Sequence, residues 1–190
     1  MKKRILTTLV ALMGLLLLTA SIVWAAPAPV AKTGQTTYYQ WGGDGHLQKG
    51  VASPSPRFTD RGDGTVTDNL TGLMWAKDAN MAGTTKTWVD AIAYANSLSL
   101  GTSCGGTYTD WRLPNRNELN SLVDAGNYNP ALPIGHPFSN VQSIFYWSGT
   151  TYASSTSSAW LVPMPSGGAY YYNKGLQLLR MAGSFRQLII

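Results

Sequence analysis

A single cysteine in 190 residues, Cys104, sets the terms on which this chain can fold. No intramolecular disulfide can form, so stability has to come from packing. The 7 Trp, 10 Tyr and 4 Phe supply the means, because each ring withdraws a large apolar area from water while Trp and Tyr keep a polar atom for hydrogen bonding. Cys104 itself reads as a small buried residue, with intermolecular pairing as the alternative.

The chain opens with Lys2, Lys3 and Arg4 and then runs uncharged from Ile5 to Ala26 around Leu15 to Leu18, the charged-then-apolar order of a secretory signal. Val23, Trp24 and Ala25 fit a cleavage site after Ala25; left uncleaved, the same stretch is just long enough to anchor in a bilayer. Either outcome places the remainder in the periplasm or outside the cell, with membrane contact only through a retained leader, since the basic head stays cytoplasmic. Without those three residues the 14 basic side chains fall to 11, against 9 acids, for a net charge of +2. No basic cluster remains, and nucleic acid is not an expected partner.

Beyond a leader over residues 1–25, residues 26–56 are rich in Pro, Gly, Ala and Thr and read as a linker and loosely structured lead-in. The packed domain is expected over 57–190, starting near Arg57. Phe58 and Thr59, a turn over Arg61 to Gly64, and Thr65 to Thr67 predict a hairpin; a second turn at Asn69 to Gly72 leads into a strand at Leu73 to Ala76. Trp88, Ala91, Ile92, Ala95 and Leu98 recur at helical spacing behind Thr87 as cap and Asp90 in the first turn. Residues 99–109 read as a loop and Trp111 to Leu113 as a short strand. Asn115 followed by Glu118 resembles a capping box for a second helix, lined by Leu119, Leu122 and Val123 and ended by Gly126. A long loop over 127–143 precedes strands at 144–148, 159–162, 169–172, 176–180 and 184–189, read as one antiparallel C-terminal sheet. The pattern predicts an α+β domain, two helices packed on a mostly antiparallel sheet.

The catalytic motifs HExxH, CxxC and GxxxxGK[ST] do not occur. His46 and His136, the only histidines, sit beside glycine without a nucleophile signature and read as surface or loop-packing residues. Glu118 is explained by capping. A paired-carboxylate hydrolase would have to draw on Asp60, Asp63, Asp68, Asp110 or Asp124, and no spacing singles out a pair. Asp60, Asp63 and Asp68 could ligate calcium, yet Asp and Gly are also what hairpin turns require, and no metal or cofactor is predicted. Arg61-Gly62-Asp63 spells an integrin-recognition tripeptide, a match frequent by chance, and Asn69-Leu70-Thr71 an N-glycosylation pattern that a turn explains.

Surface chemistry carries the functional expectation. Aromatic faces flanked by hydroxyls and amides serve sugar or peptide sites, and the candidate ligand-binding residues are Tyr128, Asn129, Tyr146, Trp147, Tyr152, Trp160, Tyr170 and Tyr172. They cluster in the loops 127–143 and 149–158 and the strands between. Alternation along Tyr170-Tyr171-Tyr172 predicts that Tyr171, or else its two neighbours, faces the core.

Three ordered segments, PRFTDRGDGTVTDNLTGLMWAKDA, TYTDWRLPNRNELNSLVD and FYWSGTTYASSTSSAWLVPMPSGG, resemble the bacterial domain at the C-terminus of the Legionella collagen-like adhesin, with Trp75, Asp110 to Pro114, Glu118, Leu119 and Tyr146 to Ser148 in place. The resemblance covers about Arg57 to Arg180. It implies a C-type-lectin-like fold, distantly shared with sulfatase-modifying enzymes, and extracellular attachment, including to sulfated glycans. Where the family closes with two arginines near each other, this chain separates Arg180 from Arg186, leaving the last strand's register open. The Glu-Pro-Asn and Gln-Pro-Asp sequences of calcium-dependent lectins are absent, and Cys104 alone cannot provide the cysteine pair of the oxidase relatives. The expectation is a secreted, non-catalytic binding or adhesion module with a glycan or an envelope or extracellular protein as partner. An envelope structural component and an enzyme with an unrecognised carboxylate site are the alternatives.

Overall fold

Turn residues between Asp60 and Gly72 fold the chain into a meander. In the computed structural model, which describes residues 30–103, 106–176, 179–180 and 185–187, β1 (Phe58–Asp60), β2 (Thr65–Asp68) and β3 (Leu73–Ala76) pair antiparallel, with Val66 opposite both Asp60 and Trp75. Gly62 and Gly64 sit at φ +73° and +84°, left-handed backbone that glycine enters without a steric penalty, while the Asp60 carboxylate accepts from the Gly62 N–H at 3.0 Å. Residues 1–25, read as a leader, and Cys104 lie outside the described residues. Among the described residues no helix is long and apolar enough to cross a membrane.

The C-terminal strands do not form one sheet as expected. β7 (Phe145–Thr151), β8 (Ser158–Pro163) and β9 (Tyr170–Asn173) make a three-stranded antiparallel sheet, whereas β10 (Leu179–Arg180) pairs with β4 (Thr85–Lys86) and β11 (Phe185–Gln187) leaves to become the fourth strand of the N-terminal sheet. β11 runs antiparallel to β3 with Phe185 opposite Trp75 and Arg186 opposite Met74, which sets the register the sequence left open. Hydrophobic alternation identifies a strand but not its neighbour, and the chain's return to β3 is a long-range choice.

Both sequence-predicted helices are present, and both are short. α2 (Trp88–Asn96), preceded by the one-turn α1 (Asp44–Leu47), is capped by Thr87, whose hydroxyl accepts from the Asp90 N–H at 3.2 Å. Its Ala91 and Ala95 are buried against Trp147, Ala159 and Leu161. α3 (Arg116–Asn120) starts in a capping box: Asn115 Oδ1 accepts from the Glu118 N–H at 2.9 Å, and the Glu118 carboxylate accepts from the Asn115 N–H at 2.7 Å. It stops at Ser121, well short of Gly126. Leu119 packs with Tyr146, Val162, Trp75 and Val66 in a second cluster. Neighbours 146/147 and 161/162 therefore point to opposite faces, so the β7–β9 sheet is buried on both sides at its centre. The architecture is α+β, with short helices on antiparallel sheets.

Three segments differ from expectation. Residues 99–109 include a hairpin, β5 (Leu100–Ser103) with β6 (Gly106–Tyr108), which Ser, Thr and Gly composition concealed. Trp111 to Leu113 forms no strand, though Trp111 and Leu113 are buried. The lead-in is tied down: Ala31 bridges Val51 in parallel, the Ala125 N–H donates to the Thr33 carbonyl at 2.7 Å, and α1 interrupts the supposed loose segment.

Asp68 makes the expected turn and does more besides. Its side chain is fully buried and takes a bidentate ion pair from Arg57, Nε to Oδ1 at 2.6 Å and a second nitrogen to Oδ2 at 2.9 Å. The same arginine donates to the Ser121 carbonyl at 2.9 Å, at the end of α3. Asp68 also accepts from the Leu70 N–H and the Thr71 hydroxyl, at 2.9 and 2.7 Å, so all its lone pairs face donors. Asp68→Ala, which strands a buried guanidinium, is expected to lower unfolding free energy by about 3–5 kcal/mol in urea titration. Lys77→Ala, which removes the half-exposed Lys77–Asp60 pair at 2.7 Å, is expected to leave the midpoint nearly unchanged.

Candidate binding surface

The eight candidate residues divide by burial into two that are core and six that reach the surface. Tyr146 and Trp147 are fully buried, which corrects their assignment as ligand contacts. The reason is the double cover of β7: the Tyr146 hydroxyl accepts from the Gln142 N–H at 2.7 Å on one face, and the Trp147 indole donates to the Lys86 carbonyl at 3.2 Å on the other. The loop expected at 149–158 is also shorter, because β7 continues through Thr151.

The six surface residues fall in two places. Tyr128 and Tyr170 line an open groove with Ser143, Phe145, Pro163 and Pro165. Asn129 is held beside it, its N–H donating to the Pro165 carbonyl at 2.9 Å and its side chain accepting from Ser143. Tyr172 shares the Tyr170 face, and both rings contact Phe145, at 5.9 and 6.4 Å between centroids.

The second place is a built aromatic platform. Tyr152 stacks on Tyr171 at 4.0 Å and 14° between planes, and Trp160 sets its edge against both, at 5.3 and 5.8 Å. Tyr171 lies directly opposite Trp160 in the β8–β9 register, which brings the rings to one face. Tyr171 is the residue the sequence reading missed. Alternation assigned one parity of the triple tyrosine to the core, but Tyr170, Tyr171 and Tyr172 are 52, 50 and 41% exposed. Among the described residues β9 is an edge strand, and its residues are exposed where the centres of β7 and β8 are buried.

A cation completes the platform. Arg116, the first residue of α3, places its guanidinium 4.5 Å from the Trp160 ring centre, within cation–π range. Its N–H donates to the Thr150 hydroxyl at 3.0 Å, fixing the helix start on β7. Glu118, two residues on, is occupied by Arg112, whose two terminal nitrogens reach the carboxylate at 2.9 and 2.8 Å. Among the described residues no carboxylate pairs with the Arg116 guanidinium. Asn115, Arg116, Asn117 and Thr150 line a polar hollow at the platform's border. Flat rings, a cation and adjacent amides suit a ligand with one apolar face and a hydroxylated or anionic rim.

The acidic turn has other work. Asp63 accepts from the Thr65 N–H and hydroxyl and, across 39 residues, from the Thr102 N–H at 2.9 Å. Burial raises its pKa, and those hydrogen bonds outweigh that and hold it below the ordinary carboxylate range. The aspartate of the Arg-Gly-Asp tripeptide is thus turned into the β-turn. Among the described residues no three His, Cys, Asp or Glu side chains gather as a metal site. His46 packs 4.2 Å from Trp41, and His136 lies partly buried beside Phe138, its pKa lowered by desolvation.

A family model described as the Lcl C-terminal domain matches residues 64–181, a span that contains Arg116, Tyr152, Trp160 and Tyr171. No curated protein matches the chain.

Glu118 offers a test of how the helix bearing Arg116 is held. Burial raises its pKa, and the Arg112 and Asn115 hydrogen bonds with the Arg112 charge outweigh burial, so the carboxyl ionises below its ordinary range. A depressed folded-state pKa stabilises the fold above the unfolded value and ceases to do so as pH falls through the folded one. Urea unfolding from pH 7 down to pH ~3 is expected to show Glu118→Gln less stable than wild type at neutral pH, with the difference closing in acid.

Proposed function

The chain belongs to the family of the Lcl C-terminal domain, and from that premise we propose that it is an exported, non-catalytic binding module of the adhesin type that recognises glycans on the Tyr152–Trp160–Tyr171 platform. The observation that carries this reading is the platform itself: the half-exposed Tyr171 ring and the partly buried Tyr152 and Trp160 rings held in fixed stacking and edge contacts, with Arg116 over one of them. A pyranose has an apolar C–H face that lies on a ring and an equatorial rim of hydroxyls that needs donors and acceptors. Asn115, Asn117 and Thr150 provide the latter beside the former. Rings locked by one another lose little conformational entropy when a ligand arrives.

A non-catalytic role is supported by the fate of the acids, since Asp60, Asp63, Asp68 and Glu118 are each occupied by structural donors. Helices on both faces of a short antiparallel sheet, with long loops over 127–143, are compatible with the C-type-lectin-like arrangement, which we adopt as the finer reading of the fold. Export to the periplasm or beyond is supported by the basic head and the uncharged stretch from Ile5 to Ala26. A partner protein is the second reading, favoured by the outer edge of β9, which no other strand among the described residues pairs, with its three exposed tyrosines.

A glycan array followed by calorimetric titration is expected to give saturable binding that Tyr171→Ala and Arg116→Ala each weaken about tenfold, equivalent to ~1.4 kcal/mol. Tyr128→Ala, in the separate groove, is expected to leave affinity unchanged. Absence of any saturable carbohydrate ligand would remove the glycan reading, and a protein captured from envelopes through β9 would put the second in its place.

A further inference from the structure

The lead-in carries an exposed aromatic knuckle that the platform does not use. Gly43 turns back on Gln40, its N–H donating to the Gln40 carbonyl at 3.1 Å, and this turn presents Tyr39 and Trp41, each 75% exposed. Trp41 is backed by His46 at 4.2 Å, and Tyr38 sets its edge on the same imidazole at 5.8 Å. The Gly42 N–H donates to His46 Nδ1, which anchors the ring that supports them. A side chain at Gly45 would collide with the Thr37 carbonyl, so α1 and the turn are packed as one unit.

The knuckle lies at the corner where the chain enters the domain. The Thr33 hydroxyl donates to the Asp44 carboxylate, and the Val51 N–H donates to the Val30 carbonyl at 2.8 Å. Val30 is only four residues beyond Ala26, where the apolar run before the Pro-rich segment ends, which is a reach of about 14 Å in extended chain. Between residues 30 and 51 the charges are Lys32, Lys49 and Asp44, a net of +1. Tyrosine and tryptophan, rather than aliphatic residues, are what partition to the headgroup level of a bilayer.

We propose that this knuckle is a membrane-surface contact: Tyr39 and Trp41 seat in the headgroup layer of an anionic bilayer, with Lys32 and Lys49 toward its charge, and so set the domain's attitude at the cell envelope. The inference rests on export but not on the glycan platform, which lies on other elements.

The test uses the full chain in a Cys104→Ser background, with Gln40→Cys at the turn carrying a fluorophore, added to vesicles of phosphatidylethanolamine and phosphatidylglycerol. Brominated lipid is expected to quench the label, and adding Tyr39→Ser with Trp41→Ser is expected to reduce that quenching at least fivefold. Equal quenching with and without those two changes would mean that the leader alone tethers the chain, and would overturn the proposal. No quenching at all would do the same, as would a label already shielded from iodide without vesicles, the sign of a second copy covering the knuckle. Carbohydrate titration of the double variant reads the platform separately, so failure of one reading leaves the other standing.

Discussion

The buried ion pair between Arg57 and Asp68 is the interaction that joins the parts of this domain. Arg57 sits where the lead-in meets β1, Asp68 ends β2, and the third contact of the guanidinium is the Ser121 carbonyl at the end of α3. One side chain thus links the N-terminal meander to the helix that borders the β7–β9 sheet. Desolvating two charges is costly, and such a pair persists where every lone pair and N–H has a partner; Asp68 meets that condition through Leu70 and Thr71. In a chain whose single cysteine allows no internal crosslink, a fully satisfied polar tie gives a specific arrangement that hydrophobic contact alone leaves looser.

From that tie the functional surface follows by short steps. Arg57 holds the C-terminal end of α3, while the capping box and the Thr150 hydroxyl hold its beginning. Arg116 is therefore carried on a five-residue helix held at both ends, which is too short to be stable alone. Its guanidinium meets Trp160, and Trp160 meets Tyr152 and Tyr171 through strand register and a stacked pair. The platform is rigid because each ring is another ring's neighbour, and it is exposed because β9 is an edge.

Local chemistry was legible in the letters. Thr87 with Asp90 and Asn115 with Glu118 cap helices as their spacing indicated, and the Asp and Gly positions between Asp60 and Gly72 make the turns they spelled. The three ordered motifs carry the family resemblance, and the family match spans residues 64–181. What the letters hid was long-range. Nothing local distinguishes a β11 that pairs with β3 from one that extends the β7–β9 sheet. Asp68 looked like the turn aspartates beside it because its ion-pair partner, Arg57, lies eleven residues earlier. Tyr146 and Trp147 looked like surface aromatics because they adjoin a polar loop, and only the two-sided cover of β7 makes them core. Tyr171 was passed over for the converse reason, that cover ends before β9.

The most direct test of the account is an NMR titration with an array-selected oligosaccharide, following indole N–H and tyrosine ring signals. The account predicts saturable shifts at Trp160, Tyr152 and Tyr171 with the Arg116 side chain, while the buried Trp75, Trp111 and Trp147 stay in place. Shifts confined to the Tyr128–Tyr170 groove, or none at saturating ligand, would contradict it.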